Sequence, residues 1–355
     1  MKTNLLFFSL TIMLLCSCDD KNSAPQPQPY EKGIFVLNEG SFGNGNASVS
    51  FIDADTKSVS NDIFATVNGR PLGDVAQSIT FWAEYAYIVV NNSQKIEVVE
   101  ANTFKSVGTI ADLPSPRFVQ IVSPVKAYVS NLFSSEITII NPTTFAKTGS
   151  ITVPCSNDCW TEQMYLSGNN LYVANAGNNS ITVINTINDQ IVTNIALGKQ
   201  PTDLAFSAAT QSLWAMCLGG FECFPNTCEA ASIQSINLSN NSVDKVLAYQ
   251  TTDNFVSNLQ LNNTGNKAMF LNGGVYEASL TSNETSLHNL AQALPIGGAY
   301  IYGGRYNDDN YNYGTFVTDA ADFAQNGVVY QLSNNGVEVI DTFVVGVAPS
   351  KVYFK

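Results

Sequence analysis

Tyr172-Val173-Ala174-Asn175, then Asn179-Ser180-Ile181-Thr182-Val183-Ile184-Asn185, then Ile191 to Leu197: this stretch decides the fold. A short apolar run ends on asparagine, a second run alternates β-branched and polar residues, and a turn leads to a third. That is the pattern of half-buried antiparallel strands separated by Asn- and Gly-rich turns. Working outward, the first run recurs at Phe35 to Asn38, Ile88 to Asn91, Tyr128 to Asn131, Trp214 to Cys217, Met269 to Asn272 and Phe316 to Asp319, which with the quoted stretch makes seven copies. A preceding strand recurs just as often, at Ser78 to Phe81, Val119 to Val122, Gln163 to Leu166, Asp203 to Phe206, Asn258 to Leu261, Ala299 to Tyr302 and Lys351 to Phe354. The unit returns about every forty to fifty-five residues, the period of a four-stranded propeller blade with insertions in some loops.

The phase of the repeat closes the ring. The chain opens on a second strand, Gly33 to Asn38, and ends on a first strand, Ser350 to Lys355, so the last strand must complete the first blade. A linear solenoid needs no such complementarity, and a lectin-like sandwich or Greek-key barrel has no such period. The expected fold is therefore all-β, a seven-bladed propeller of four-stranded antiparallel blades, closed by pairing of the C-terminal strand with the N-terminal blade.

Ahead of the repeats, Lys2 and the apolar run Leu5 to Leu15 read as a secretory signal, too short to span a bilayer. The run ends in Leu15-Cys16-Ser17-Cys18, the form of a lipobox, with Cys18 the residue to be acylated. Residues 1–17 are thus expected to be a lipoprotein signal peptide, residues 18–32 a lipidated cysteine and Pro/Gln-rich linker, and residues 33–355 the propeller. Asp19-Asp20 behind the cysteine points to an outer-membrane lipoprotein on the cell surface, with periplasm-facing anchoring the alternative.

The net charge of −13 disfavours nucleic acid as a partner, because an acidic surface offers the phosphates no counter-charge. A monomer is expected. The single histidine, His288, leaves little room for His-based triads, and no phosphate-binding loop or dinucleotide fingerprint occurs. No metal site and no resident cofactor are expected. The enzyme alternative is a carboxylate-based glycan hydrolase or lyase in which Glu39, Asp74 and Glu162 converge near the axis. Beyond Cys16 and Cys18, Cys155 with Cys159 and Cys223 with Cys228 would each staple one exposed loop in an oxidising compartment, leaving Cys217 as a buried thiol.

In a propeller blade the loops between strands two and three, and those leading to the next blade's first strand, emerge at one end of the ring, where ligands bind. Aromatics on these loops are Phe42, Phe133, Trp160, Phe221, Phe224, Phe255 and Phe323, while Asn38, Glu39, Asp74, Gln77, Arg117, Glu162 and Gln163 offer hydrogen bonds near the axis. Flat apolar area with a few convergent polar groups suits a large amphipathic organic ligand, a polymer or a polypeptide. Asn38, Asn91, Asn131 and Asn175 also have a plainer reading as turn caps, and Arg117 as the partner of Glu162 or Asp74.

Tyr172 to Asn175, Asn179 to Thr186 and Gly198-Lys199-Gln200-Pro201 resemble the YVTN propeller repeat of bacterial and archaeal surface proteins. Leu37-Asn38-Glu39-Gly40, Leu72 to Ser78, Ser115-Pro116-Arg117 and Glu162-Gln163-Met164 are similar to the propeller lipoproteins of Bacteroidetes. That group includes cell-surface propellers that bind vitamin B12 and hand it to a TonB-dependent outer-membrane transporter. The resemblance implies a binding protein, not an enzyme, with cobalamin as a transported ligand rather than a cofactor.

Overall fold

A computed structural model describes residues 28–155, 159–219, 229–249, 256–272, 274–282, 288–289, 300–306, 313–333 and 338–355. Cys18, Phe221, Phe224, Cys223, Cys228 and Phe255 lie outside the described residues. Seven four-stranded antiparallel sheets form the ring. Blade one joins the last strand, Pro349–Phe354, to Gly33–Asn38, Ser48–Asp53 and Val59–Ser60. Its closing register pairs Ile34 with Phe354 and Phe35 with Tyr353. The other inner strands are Ala76–Trp82, Pro116–Ser123, Thr161–Ser167, Pro201–Ser207, Ser257–Leu261 and Ile301–Arg305, for blades two to seven in order.

The core lies between blades. Second strands are buried on both faces, as in Gly33–Asn38 and Tyr85–Val90, because each is covered by the blade on either side. That explains why these runs are continuously apolar while outer strands such as Gln190–Ala196 alternate. Phe35, Phe51, Ile79, Ile88 and Phe104 pack blade one on blade two; Tyr87, Val98, Val119, Val129 and Ile140 pack blade two on blade three. Each fully buried side chain of this size contributes about 1.5–3 kcal/mol.

The two ends of the ring are built differently. At one end, strands three and four are joined by the same turn in five successive blades. The amide of its fifth residue donates to the carbonyl of its first at Lys57–Asp53, Phe104–Glu100, Phe145–Asn141, Asp189–Asn185 and Asn241–Asn237, over 2.8 to 3.0 Å. Those fifth residues all have φ of 59° or 60°. The tyrosine of the repeat seats these turns: Tyr87 Oη donates to Pro142 O (2.8 Å), Tyr128 Oη bonds to Asp189, and Tyr172 Oη donates to Asn241 Oδ1 (2.9 Å), each across to the next blade. Tyr30 meets this same turn end, its amide donating to Asn102 O and its ring packing on Phe51 and Phe104. The chain therefore reaches the ring on the side away from the opposite, loop-rich end.

Blade one departs from the pattern. Its outer strand has only two residues, and a short helix, Ile63–Asn68, covers the gap, with Phe64 fully buried beneath it. Asp62 caps that helix by accepting from Ala65 N (3.3 Å). Arg70, just beyond, makes a two-pronged ion pair to the buried Glu97 of blade two, both contacts at 2.9 Å.

Candidate functional site

Every inner strand carries one extra residue within its first few positions. Ala76 pairs with Val90 but Ser78 with Val89, so Gln77 is extra; Pro201 pairs with Cys217 but Asp203 with Met216, so Thr202 is extra. The same slip falls at Pro116/Val119, Thr161/Met164, Ser257/Gln260, Ile301/Gly303 and, in the closing strand, between Pro349 and Lys351. A bulge bends the strand and re-aims a side chain. Here seven bulges at one level turn their residues into the axis.

The result is a cavity of 280 Å³ at the loop-rich end, lined by Gln77, Arg117 and Glu162 from blades two to four and by Thr202, Ser257, Tyr302 and Ser350 from blades five, six, seven and one. The residues that precede the inner strands hold a left-handed backbone: Val75 (φ 59°), Ser115 (55°), Trp160 (47°), Gln200 (54°) and Ala348 (51°). Such a conformation is costly for a β-branched residue like Val75, and strain of this kind concentrates where the surrounding structure fixes a site.

Two clusters of polar groups in this mouth are paired within the protein. Arg117 Nε donates to Glu162 Oε2 (2.8 Å) and its NH1 to Gln77 Oε1 (2.5 Å), tying blades two, three and four together. Burial works against the Arg117 charge, but Glu162 beside it holds its pKa above the ordinary value. Burial lifts the Glu162 carboxyl above the usual range even with Arg117 against it. On the far side Tyr302 Oη donates to Glu39 Oε2 (2.6 Å), and burial followed by that carboxylate raises the phenol. Asp203 is also raised by burial, opposed by Lys351 and by hydrogen bonds from Thr202 and from the backbone of Leu259 and Asn258.

Aromatic rings surround the mouth. Phe42, Phe133, Trp160 and Tyr300 are 78%, 59%, 37% and 47% exposed. Trp160 follows the loop closed by the Cys155–Cys159 disulfide; Cys159 N donates to Ser134 O (3.3 Å), which sets the Trp160 loop against the Phe133 loop. Cys217 is a buried free thiol, its pKa pushed up to about 12 by burial. Opposite, Phe323 packs edge-on against Tyr300 and Tyr302, with centroids 4.9 and 5.0 Å apart.

The structure separates the residues expected near the axis. Glu39, Gln77, Arg117 and Glu162 line the mouth. Gln163 sits one level lower, accepting from Leu204 N (2.9 Å). Asn38 is not at the axis: it ends a second strand, is fully buried, and donates to Ser48 Oγ and Ser50 Oγ. Asp74 also faces away, accepting from Gly43 N (2.9 Å) and Asn92 Nδ2, so it anchors the Phe42 loop instead. The three carboxylates of the enzyme alternative thus do not converge. Tyr302, Asp203, Ser350 and Lys351 line the mouth and were not singled out from the sequence. Tyr302 and Ser350 hold the bulged position and Asp203 and Lys351 the next one, an alignment that becomes visible only once the strands are paired.

Fold and site together define a seven-bladed propeller whose axis opens into a polar, aromatic-rimmed mouth. The chain belongs to the family described as "Domain of unknown function (DUF5074)", which matches residues 32–221. No curated protein matches it. Among solved structures, it is similar to a periplasmic gluconolactonase of Pseudomonas aeruginosa (13% identity, TM-score 0.66, covering 90% of this chain and 99% of that one). It is also similar to a quinoprotein alcohol dehydrogenase-like protein of Bacteroides thetaiotaomicron (14%, TM-score 0.68, 92% and 78%) and to hydrazine synthase of Kuenenia stuttgartiensis (16%, 0.61, 78% and 88%). At these identities the likeness is one of fold.

Proposed function

We propose that the protein is an exported, lipid-anchored binding propeller, tethered through Cys18, that captures a large amphipathic organic nutrient at the mouth for delivery to a TonB-dependent outer-membrane transporter. One observation carries this reading: polar groups prelocked by the Arg117–Glu162–Gln77 and Tyr302–Glu39 bonds, beneath a rim of exposed rings. A pre-organised site loses little freedom on binding, and exposed aromatics supply the apolar area. Tyr30 meets the opposite end of the ring, so a tether leaving there would turn the mouth away from the membrane.

Cobalamin is the ligand to try first, on the strength of the sequence resemblance. The purified protein mixed with micromolar cyanocobalamin and passed over a desalting column should emerge red, and Trp160→Ala should weaken retention. A colourless protein peak refutes cobalamin. A protein-interaction role predicts instead that the same rim substitutions spare every small ligand but release a cell-surface partner. The lactonase fold neighbour makes hydrolysis of glucono-1,5-lactone the enzyme assay to run beside it; turnover lost in Glu162→Gln would replace the binding reading.

A further inference from the structure

Below the mouth the axis widens again into a chamber of 450 Å³ bounded by all seven inner strands. Phe118, Asp203, Asn258 and Lys351 line both spaces and form the waist between them. The charges along this wall act on the protein itself. Burial raises the Glu162 and Asp203 carboxyls, and Lys351 stands close enough to pull both back, together with Arg117 in the case of Glu162. Arg305 donates NH1 to Gln260 Oε1 (3.1 Å) and lies over the Phe354 ring. The remaining polar wall is neutral.

Three glutamines from three blades are each held at one end of the amide and open at the other. Gln163 Oε1 accepts from Leu204 N (2.9 Å), which fixes the amide so that Nε2, with its two hydrogens, is the open end. Gln260 is oriented the same way by Arg305. Gln120 is turned around: its Nε2 donates to Ile121 O (3.1 Å), so Oε1 is left as an acceptor. These three ends have no partner among the described residues and are not sealed into the wall, so they open on the chamber they line. Tyr353 Oη accepts from Ile79 N (3.0 Å) and keeps its own hydrogen to give. Ser78 Oγ and Thr80 Oγ1 donate to Arg117 O (2.6 Å) and Val119 O (2.9 Å) and retain lone pairs.

Uncharged donors and acceptors thus alternate around one space. A hydroxyl is donor and acceptor at once, so a molecule carrying several of them meets both kinds. An apolar guest would leave the amides unpaired, at about 1–3 kcal/mol each. We propose that the axial chamber is a binding site, separate from the mouth, for a neutral polyhydroxylated molecule of monosaccharide size, held by Gln120, Gln163, Gln260 and Tyr353. The volume accommodates a sugar ring with bridging waters. Because backbone groups orient Gln120, Gln163 and Tyr353, these side chains lose little freedom on binding. The site does not depend on what the mouth captures.

Isothermal titration of the purified protein tests this with D-glucose, D-galactose and myo-inositol, and with D-glucuronate as the charged counterpart. Saturable millimolar or tighter binding of at least one neutral probe is expected, with glucuronate about tenfold weaker through the cost of desolvating its carboxylate. Gln163→Glu keeps an oxygen for Leu204 N and replaces only the open amide end, so the protein should fold as before and bind the neutral probe about tenfold more weakly. Gln120→Met, with its thermal midpoint checked against the parent, should weaken the same probe. No saturable binding of any neutral probe overturns the site, as do unchanged affinity in folded Gln163→Glu and glucuronate binding as tight as that of the neutral sugars. Cyanocobalamin retention measured on the same samples reports the mouth separately, so either reading can fail while the other stands.

Discussion

The two ends of this ring obey different rules. At the turn end, five blades repeat one backbone conformation closed by the same amide-to-carbonyl bond, and three of these turns are seated by a tyrosine from the neighbouring blade. At the mouth end the loops share a left-handed step into five inner strands but differ in the rest: the one before blade four carries both a disulfide and Trp160, and the one before blade two a helix. Uniformity at one end gives the blades a common angle. With that geometry fixed, the other end is free to vary, and binding sites concentrate on such loops.

The largest effect expected from breaking this division comes from Glu162→Ala. It strands the Arg117 guanidinium in the mouth without its anion, and should cost about 3 kcal/mol of stability together with ligand binding. Urea unfolding checks the first and retention of bound ligand the second. Next, Cys155→Ser with Cys159→Ser should cost about 2 kcal/mol by releasing a short closed loop, lower the thermal midpoint, and weaken any ligand that touches Trp160.

A pH series sharpens the same contrast. Asp203 is held above its ordinary value of 3.8, so the folded state keeps its proton to higher pH than the unfolded state does. The folded state thus gains stability from this group below 3.8 and loses it as pH climbs through the raised folded value. Asp203→Asn should flatten that part of the stability–pH curve and raise stability near neutrality; an unchanged curve would contradict the assignment. The smallest effect belongs to the turn end. Asn141 accepts from Thr143 N (2.9 Å) and Thr144 N (3.0 Å), and Asn141→Ala should cost about 1 kcal/mol in chemical denaturation while leaving every ligand affinity unchanged.

The blades were legible in the sequence because burial on both faces forces a recognisable run: Tyr128 to Asn131 and Tyr172 to Asn175 announce second strands by composition alone. The closing strand was legible from phase, since Lys351 to Phe354 repeats a first strand that lacked its blade. The site was read in part. Arg117 and Glu162 fall on the loops that the repeat places at the ligand end, and of the two partners the sequence offers Arg117, Glu162 and Asp74, the structure pairs it with Glu162. Asn38 misled because an asparagine at a strand end looks the same whether it faces the axis or the interior of its own blade. Tyr302 and Ser350 were hidden because a bulge is a property of two strands together, and neither strand shows the slip by itself.

The seam of the ring has a mechanical consequence. The strand Gly33–Asn38 lies second in its blade, between the closing strand and Ser48–Asp53, and Lys355 Nζ donates to Tyr30 O (3.1 Å) and Ala101 O (3.0 Å) beside its start. A pull on the chain ahead of Tyr30 would load two ladders of hydrogen bonds lengthwise, in shear, instead of unzipping one edge bond by bond. A propeller held by its leading segment would therefore resist being pulled open through that segment.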